Sequence, residues 1–94
     1  MEPYLEEYYG LECPICEVMR ERLDKLEHEL QIPIKRFEVW HNKENMDRVE
    51  ALEHNGHVKV LGIPFFYNTQ TGGYLCGEVS YAKLKAWALG QTNL

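Results

Sequence analysis

The sequence predicts a single α/β domain with the element order βαβαββα. Three observations carry that prediction: apolar residues at 3/4 spacing through residues 16–30, a strand-like run at 34–40 between two helical segments, and an apolar stretch at 63–67 joined to a second short strand by a polar, glycine-containing turn. The chain has 94 residues, 45% of them hydrophobic, which suffices for one core and not for two. No internal repeat, low-complexity tract or Pro/Gly/Ser-rich linker divides it, so residues 1–94 are read as one domain.

Taken in order, Tyr4 to Tyr9 carries the aromatic and leucine side chains of a strand, against which Glu6 and Glu7 argue. Cys16, Met19, Leu23, Leu26 and Leu30 then fall on one helical face, with Glu17, Glu21, Asp24 and Lys25 toward solvent. Pro33 stops this helix before a strand over Ile34 to Trp40. Asn42 is the expected N-cap of a second helix, Glu44 to Glu53, with Met46, Val49 and Leu52 on one face and Asn55-Gly56 as a left-handed terminator. Ile63 to Tyr67, the turn Asn68 to Gly73, and Tyr74 to Cys76 read as a hairpin. Ser80 caps the last helix, whose Tyr81, Leu84 and Ala88 point inward.

The net charge of −5 is uneven: residues 1–33 hold nine acids against three bases, and the remainder six against seven. The acidic end is also the cysteine end, and no clustered basic face exists to displace counterions from a phosphate backbone, so nucleic acid is excluded as a partner. The start, Met1-Glu2-Pro3-Tyr4, has neither a basic segment nor an apolar run after it, and no stretch approaches a membrane span. The expectation is a cytoplasmic monomer with no membrane partner. Three cysteines, an odd number, argue against a disulfide framework and for a catalytic, metal-binding or packing role for each thiol.

Cys13-Pro14-Ile15-Cys16 stands where the first helix begins. Disulfide exchange needs one thiolate that attacks and a second thiol near enough to release the product. With Cys13 at the N-cap, Pro14 takes the first helical position, and the unpaired N–H groups and positive end of the helix stabilise a sulfur anion. Cys16, one turn on, falls on the buried face. Cys13 is therefore expected as the exposed nucleophile and Cys16 as the shielded resolving thiol. The competing readings are incidental cysteines and a zinc half-site; zinc needs two more ligands, and beyond Cys76 only His54 and His57 are spaced to supply them, across a turn far along the chain. His28 and His41 have no assigned role.

Gly62-Ile63-Pro64-Phe65-Phe66 heads an apolar strand, where proline is explained only by a strand start, a strand edge or a cis bond. A Cys-X-X-Cys at the first helix, followed about fifty residues later by Gly-Ile-Pro before an apolar strand, resembles the thioredoxin and glutaredoxin superfamily over essentially the whole chain. The resemblance implies a thioredoxin-like fold, a four-stranded mixed sheet flanked by helices. It also implies that Cys13 is the nucleophile, Cys16 the resolving cysteine and Pro64 a cis-proline standing against the sulfurs. Substrate would then lie along the Ile63 backbone, which can pair as an added strand does, and against Pro14 and Ile15.

Pro14 resembles the Pro of the glutaredoxin motif, with Ile15 replacing the usual Tyr. The Lys that glutaredoxins carry shortly before the first Cys is missing, and Glu12 stands where thioredoxins carry Trp. Cys76-Gly77-Glu78 replaces one glycine of the glutaredoxin Gly-Gly that holds the glutathione amine. Glu7, six residues before Cys13, aligns with the buried Asp of thioredoxins and is a candidate proton shuttle for Cys16. The alternatives are that Glu7 faces solvent on an edge-like strand, or that Glu6 is the inward residue. Cys76 is either a small apolar filler or a third redox or regulatory site. Glu12 and Glu17 flank the pair and oppose the helix-end effect, which favours a reductant over a strong oxidant and a partner with a basic rim over anionic glutathione.

The expected activity is thus dithiol reduction of protein disulfides or glutathione mixed disulfides, with a reductase or glutathione supplying electrons. No cofactor is expected to bind tightly, and glutathione enters as co-substrate in the glutaredoxin branch. The alternatives are a glutathione-linked iron–sulfur cluster carrier acting through Cys13, and a non-enzymatic binding module.

Overall fold

The computed structural model describes residues 3–56 and 58–91. Its elements are β1 (Leu5–Tyr9), α1 (Pro14–Leu30), β2 (Ile34–Glu38), α2 (Lys43–His54), β3 (Phe65–Asn68), β4 (Tyr74–Cys76) and α3 (Tyr81–Ala88). This is a small α/β domain: a four-stranded mixed sheet in the order β2-β1-β3-β4 with three helices. β1 runs parallel to β2 and antiparallel to β3, and β4 is antiparallel to β3. Among the described residues no helix is long and apolar enough to cross a membrane. His57, the second histidine of the zinc alternative, lies outside the described residues.

β1 is a central strand, and that position reverses the doubt raised by its two glutamates. Leu5, Glu6, Glu7 and Tyr8 are all buried, because helices cover the sheet on both faces. One core joins Met19, Leu23 and Leu26 of α1 and Leu84, Trp87 and Ala88 of α3 to Leu5 and Phe66. The other joins Val49 of α2 to Tyr8, Phe65 and Val39. The α1 face is as its spacing predicts, with Leu30 half-buried at the last helical position. Gln31 ends α1 in a left-handed conformation (φ 55°), a terminator that carries no glycine signature.

Several boundaries differ from the expectation. β2 ends at Glu38 rather than Trp40, because the Glu38 carboxylate folds back to accept the N–H groups of Trp40 (3.3 Å) and His41 (2.8 Å) and turns the chain. β3 begins at Phe65, leaving Ile63 and Pro64 outside the ladder. The Asn42 and Ser80 caps form as expected, accepting from Asn45 N–H (3.1 Å) and Lys83 N–H (3.2 Å). In α3 Leu84 and Ala88 are buried as expected and Tyr81 is half-buried against the same core, while Trp87, absent from that expectation, is fully buried. Trp87 packs edge-on against Phe66 (5.8 Å) and donates its indole N–H to Gly73 O at 3.0 Å, so its polar atom is satisfied. Asn68 holds the hairpin: its Oδ1 accepts from Gln70 N–H (2.9 Å) and Thr71 N–H (3.2 Å), and its Nδ2 donates to Trp87 O (3.2 Å).

Candidate active site

The loop leaving the C-terminal end of β1 delivers both cysteines to the start of α1. Cys13 is the N-cap, extended at φ −88° and ψ 112°, and Pro14 opens the helix. The Cys13 Sγ accepts the Cys16 N–H at 3.2 Å, while Cys13 N–H donates to Gly10 O at 3.2 Å. Sulfur thus takes the place of a capping oxygen, against helix N–H groups that would otherwise be unpaired.

One expectation needs correction: Cys13 is not exposed. It keeps 5% of its surface, the same as Cys16. As an N-cap its side chain turns back over the first helical turn, and the outward positions fall to Glu12, Pro14 and Ile15. The two thiols differ in what lies behind them rather than in exposure. Cys16 faces a cavity of about 220 Å³ lined also by Glu7, Tyr9, Arg20 and Arg36. Burial, and then its hydrogen bond with Cys13, push the Cys16 thiol up to about 12, although a bond with the Gly10 backbone pulls the other way.

Glu7 is the carboxylate beneath the pair. Burial raises its pKa to about 7, against the opposing pull of Arg36 and Arg20. Arg36 is its register neighbour on β2, and Arg20 stands one helical turn beyond Cys16. Glu6 points to the opposite face. There Tyr8 Oη donates to its Oε1 (2.7 Å), and Arg48 donates to its Oε2 (2.7 Å) and to Tyr8 Oη (2.9 Å). Both glutamates are therefore buried, but only Glu7 shares a cavity with a cysteine.

The Ile63–Pro64 peptide is cis and Pro64 is fully buried. Because Tyr8 pairs with Phe65 in antiparallel register, Pro64 stands at the end of β1 from which the cysteine loop departs. Ile63 is half-buried, and among the described residues neither its N–H nor its C=O has a backbone partner. A groove of about 260 Å³ beside it is lined by Leu61, Gly62, Ile63, Cys76 and Gly77. Cys76 sits half-buried at its edge, its Sγ 3.8 Å from Lys59 O. Glu78 pairs with Arg22 at 3.3 Å and ties this corner to α1.

The two acids flanking the cysteines are each paired: Glu17 with Arg20 (2.6 Å) and Glu12 with His41 (2.8 Å). Glu12, foremost through its hydrogen bond, raises the His41 pKa. Reasoning from sequence missed Arg20, Arg36, His41 and Trp40 as neighbours of the site. Only Arg20 carried a local signal, since it lies four residues after Cys16 on the same helix. Among the described residues no cluster of three or more His, Cys, Asp or Glu is arranged to hold a metal ion. Compared by sequence with protein-family models and with curated proteins, the chain matches none.

Proposed function

We propose that this protein is a small dithiol–disulfide oxidoreductase with a thioredoxin-like fold, acting through Cys13 and Cys16. The observation that carries the reading is the pairing of a sulfur N-cap with a second thiol one turn on, over a cavity that contains a buried carboxylate. The sheet order β2-β1-β3-β4, with the cysteines after the central strand and a cis-proline entering β3, supports the fold assignment.

In the first step the Cys13 thiolate attacks one sulfur of a client disulfide, breaking the S–S bond and forming a mixed disulfide; the departing sulfur takes a proton from solvent. In the mixed disulfide Cys13 carries no charge to repel a Cys16 anion and its sulfur is a weaker acceptor, so the two Cys13 contributions that raise the Cys16 thiol diminish while that of burial stays. Cys16 can now give up its proton. Glu7, poised at about 7, is a base matched to neutral pH, and the cavity between them is roomy enough for water to carry the proton. The Cys16 thiolate attacks Cys13 Sγ, breaking the mixed disulfide and leaving a Cys13–Cys16 disulfide; the second client sulfur departs as a thiolate and takes up the proton that Glu7 had received. Two electrons pass to the client, and an external thiol or dithiol reductant restores the enzyme.

The client backbone lies along Ile63, whose open N–H and C=O accept it as an added strand. The test is a trap: Cys16→Ser mixed with a disulfide client should accumulate an adduct, visible by intact mass, that dithiothreitol removes and that Cys13→Ser does not form. An empty trap would favour a binding module in which the cysteines are structural.

A further inference from the structure

Four contacts lash the turn after β2 to the turn that carries the cysteines. Val39 N–H donates to Tyr9 O at 2.8 Å. The Glu38 carboxylate accepts Leu11 N–H at 3.0 Å in addition to the N–H groups of Trp40 and His41. His41 Nε2 lies 2.8 Å from both oxygens of Glu12, the residue before Cys13. Finally, the Trp40 indole lies on Gly10, so close that a Cβ there would come within 2.3 Å of Trp40 Cδ2. Cδ2 is a ring-fusion carbon bonded to three other ring atoms, so an approach centred on it comes from a ring face. One face of the indole is therefore seated on Gly10, whose carbonyl holds Cys13, and Trp40 as a residue is still 48% exposed.

With one face on Gly10, three residues before Cys13, and about half its surface exposed, Trp40 keeps aromatic area that the protein itself does not cover. The chain's other tryptophan, Trp87, fills the core. We infer that Trp40 is a specificity platform that receives a lysine or arginine side chain flanking the client's cystine, an inference that rests on the disulfide-exchange reading above. The face of an indole is the strongest cation acceptor among aromatic side chains. Its surroundings suit a cation: the Glu38 and Glu12 carboxylates both stand in this turn with His41, among the described residues, as their one counter-charge, Glu44 lies in the first turn of α2, and Glu17 is paired with Arg20. The nearest lysine in sequence, Lys43, is turned to Asp47 at 3.1 Å. Leu11, 56% exposed, offers an apolar surface to the stem of a long cationic side chain. The same field disfavours an anionic disulfide such as oxidised glutathione.

The test uses two short peptides identical except for lysine or glutamate beside a serine that stands for the client cysteine. Both are titrated against the reduced protein while the Trp40 indole N–H is followed by NMR. The lysine peptide is expected to perturb Trp40 and to saturate at a concentration at least roughly threefold lower than the glutamate peptide. Trp40→Leu should erase that preference, read from the neighbouring Leu11 amide, and Trp40→Phe, which keeps an aromatic face over Gly10, should retain part of it. Equal binding of the two peptides, or a lysine preference that survives in Trp40→Leu, overturns the inference. A separate arm mixes reduced wild-type protein with the uncharged bis(2-hydroxyethyl) disulfide in a single turnover. Failure there removes the redox reading while the peptide result judges the platform on its own.

Discussion

Glu7 and Arg36 are direct register neighbours across the parallel pair β1 and β2, and both line the cavity behind Cys16. Arg36 is also held by Asp24 and Glu27, each at 2.8 Å, so its charge is shared and it does not fully neutralise Glu7. Desolvation therefore wins, and Glu7 folds with its pKa raised to about 7 from 4.5. Between these two values the folded state binds more protons than the unfolded state, so stability falls as pH rises from about 4.5 to about 7 and levels off above. Glu7→Gln removes this loss. It should stabilise the protein at pH 8 by up to roughly 3 kcal/mol more than at pH 4.5, as read by urea unfolding at both pH values. An equal effect at the two pH values would mean that Glu7 is not desolvated.

The same carboxylate should govern the second chemical step. Loss of a positioned general base costs on the order of a hundredfold or more, so Glu7→Gln should slow resolution of the mixed disulfide by that order while leaving its formation intact. In stopped-flow measurements the wild-type resolution rate should rise through about pH 7 as Glu7 ionises, and the variant should lose that step. Unchanged resolution in Glu7→Ala would sink the shuttle.

Gly10 is small because an indole occupies the place of its side chain. Gly10→Ala would put a Cβ 2.3 Å from Trp40 Cδ2, inside any tolerable contact. The indole must move, and the cysteine turn with it. A destabilisation of about 1–3 kcal/mol is expected, together with a shifted Trp40 fluorescence maximum. Pairing Gly10→Ala with Trp40→Leu should recover part of the loss.

On the other face, Arg48→Met would leave Glu6 buried without its cationic partner. Glu6 keeps 4% of its surface, and its remaining bond is from Tyr8 at 2.7 Å. The expected cost is about 2 kcal/mol at pH 7, since Arg48 is itself half-exposed. Adding Glu6→Gln should relieve much of it, because a neutral amide does not strand a charge. Thermal melts of the two variants decide the point.

The parts of this molecule governed by short-range chemistry were legible in the sequence. A cysteine that caps a helix followed by a proline at its first position, the 3/4 spacing from Cys16 to Leu26, the Asn42 and Ser80 caps and the turn after Asn68 depend on neighbours within a few residues, and each is found where expected. The element order follows from them.

What only the tertiary structure decided concerns which surfaces meet. Strand alternation separates Glu6 from Glu7 but does not say which faces α1, and burial on both faces of the central β1 removes the polar–apolar contrast that would have told them apart. Trp40 reads locally as strand, and it leaves the sheet because Glu38 turns the chain toward a loop 27 residues away. The burial of Cys13, the arginines around Glu7 and the indole on Gly10 arise in the same way. Cys13-Pro-Ile-Cys16 could be read as a sulfur-capped helix start from four letters, since its capping chemistry is local. Its surroundings were set by β1, β2 and α1 converging at one end of the sheet, and contacts between residues distant in sequence leave no periodicity for a reader of the chain to find.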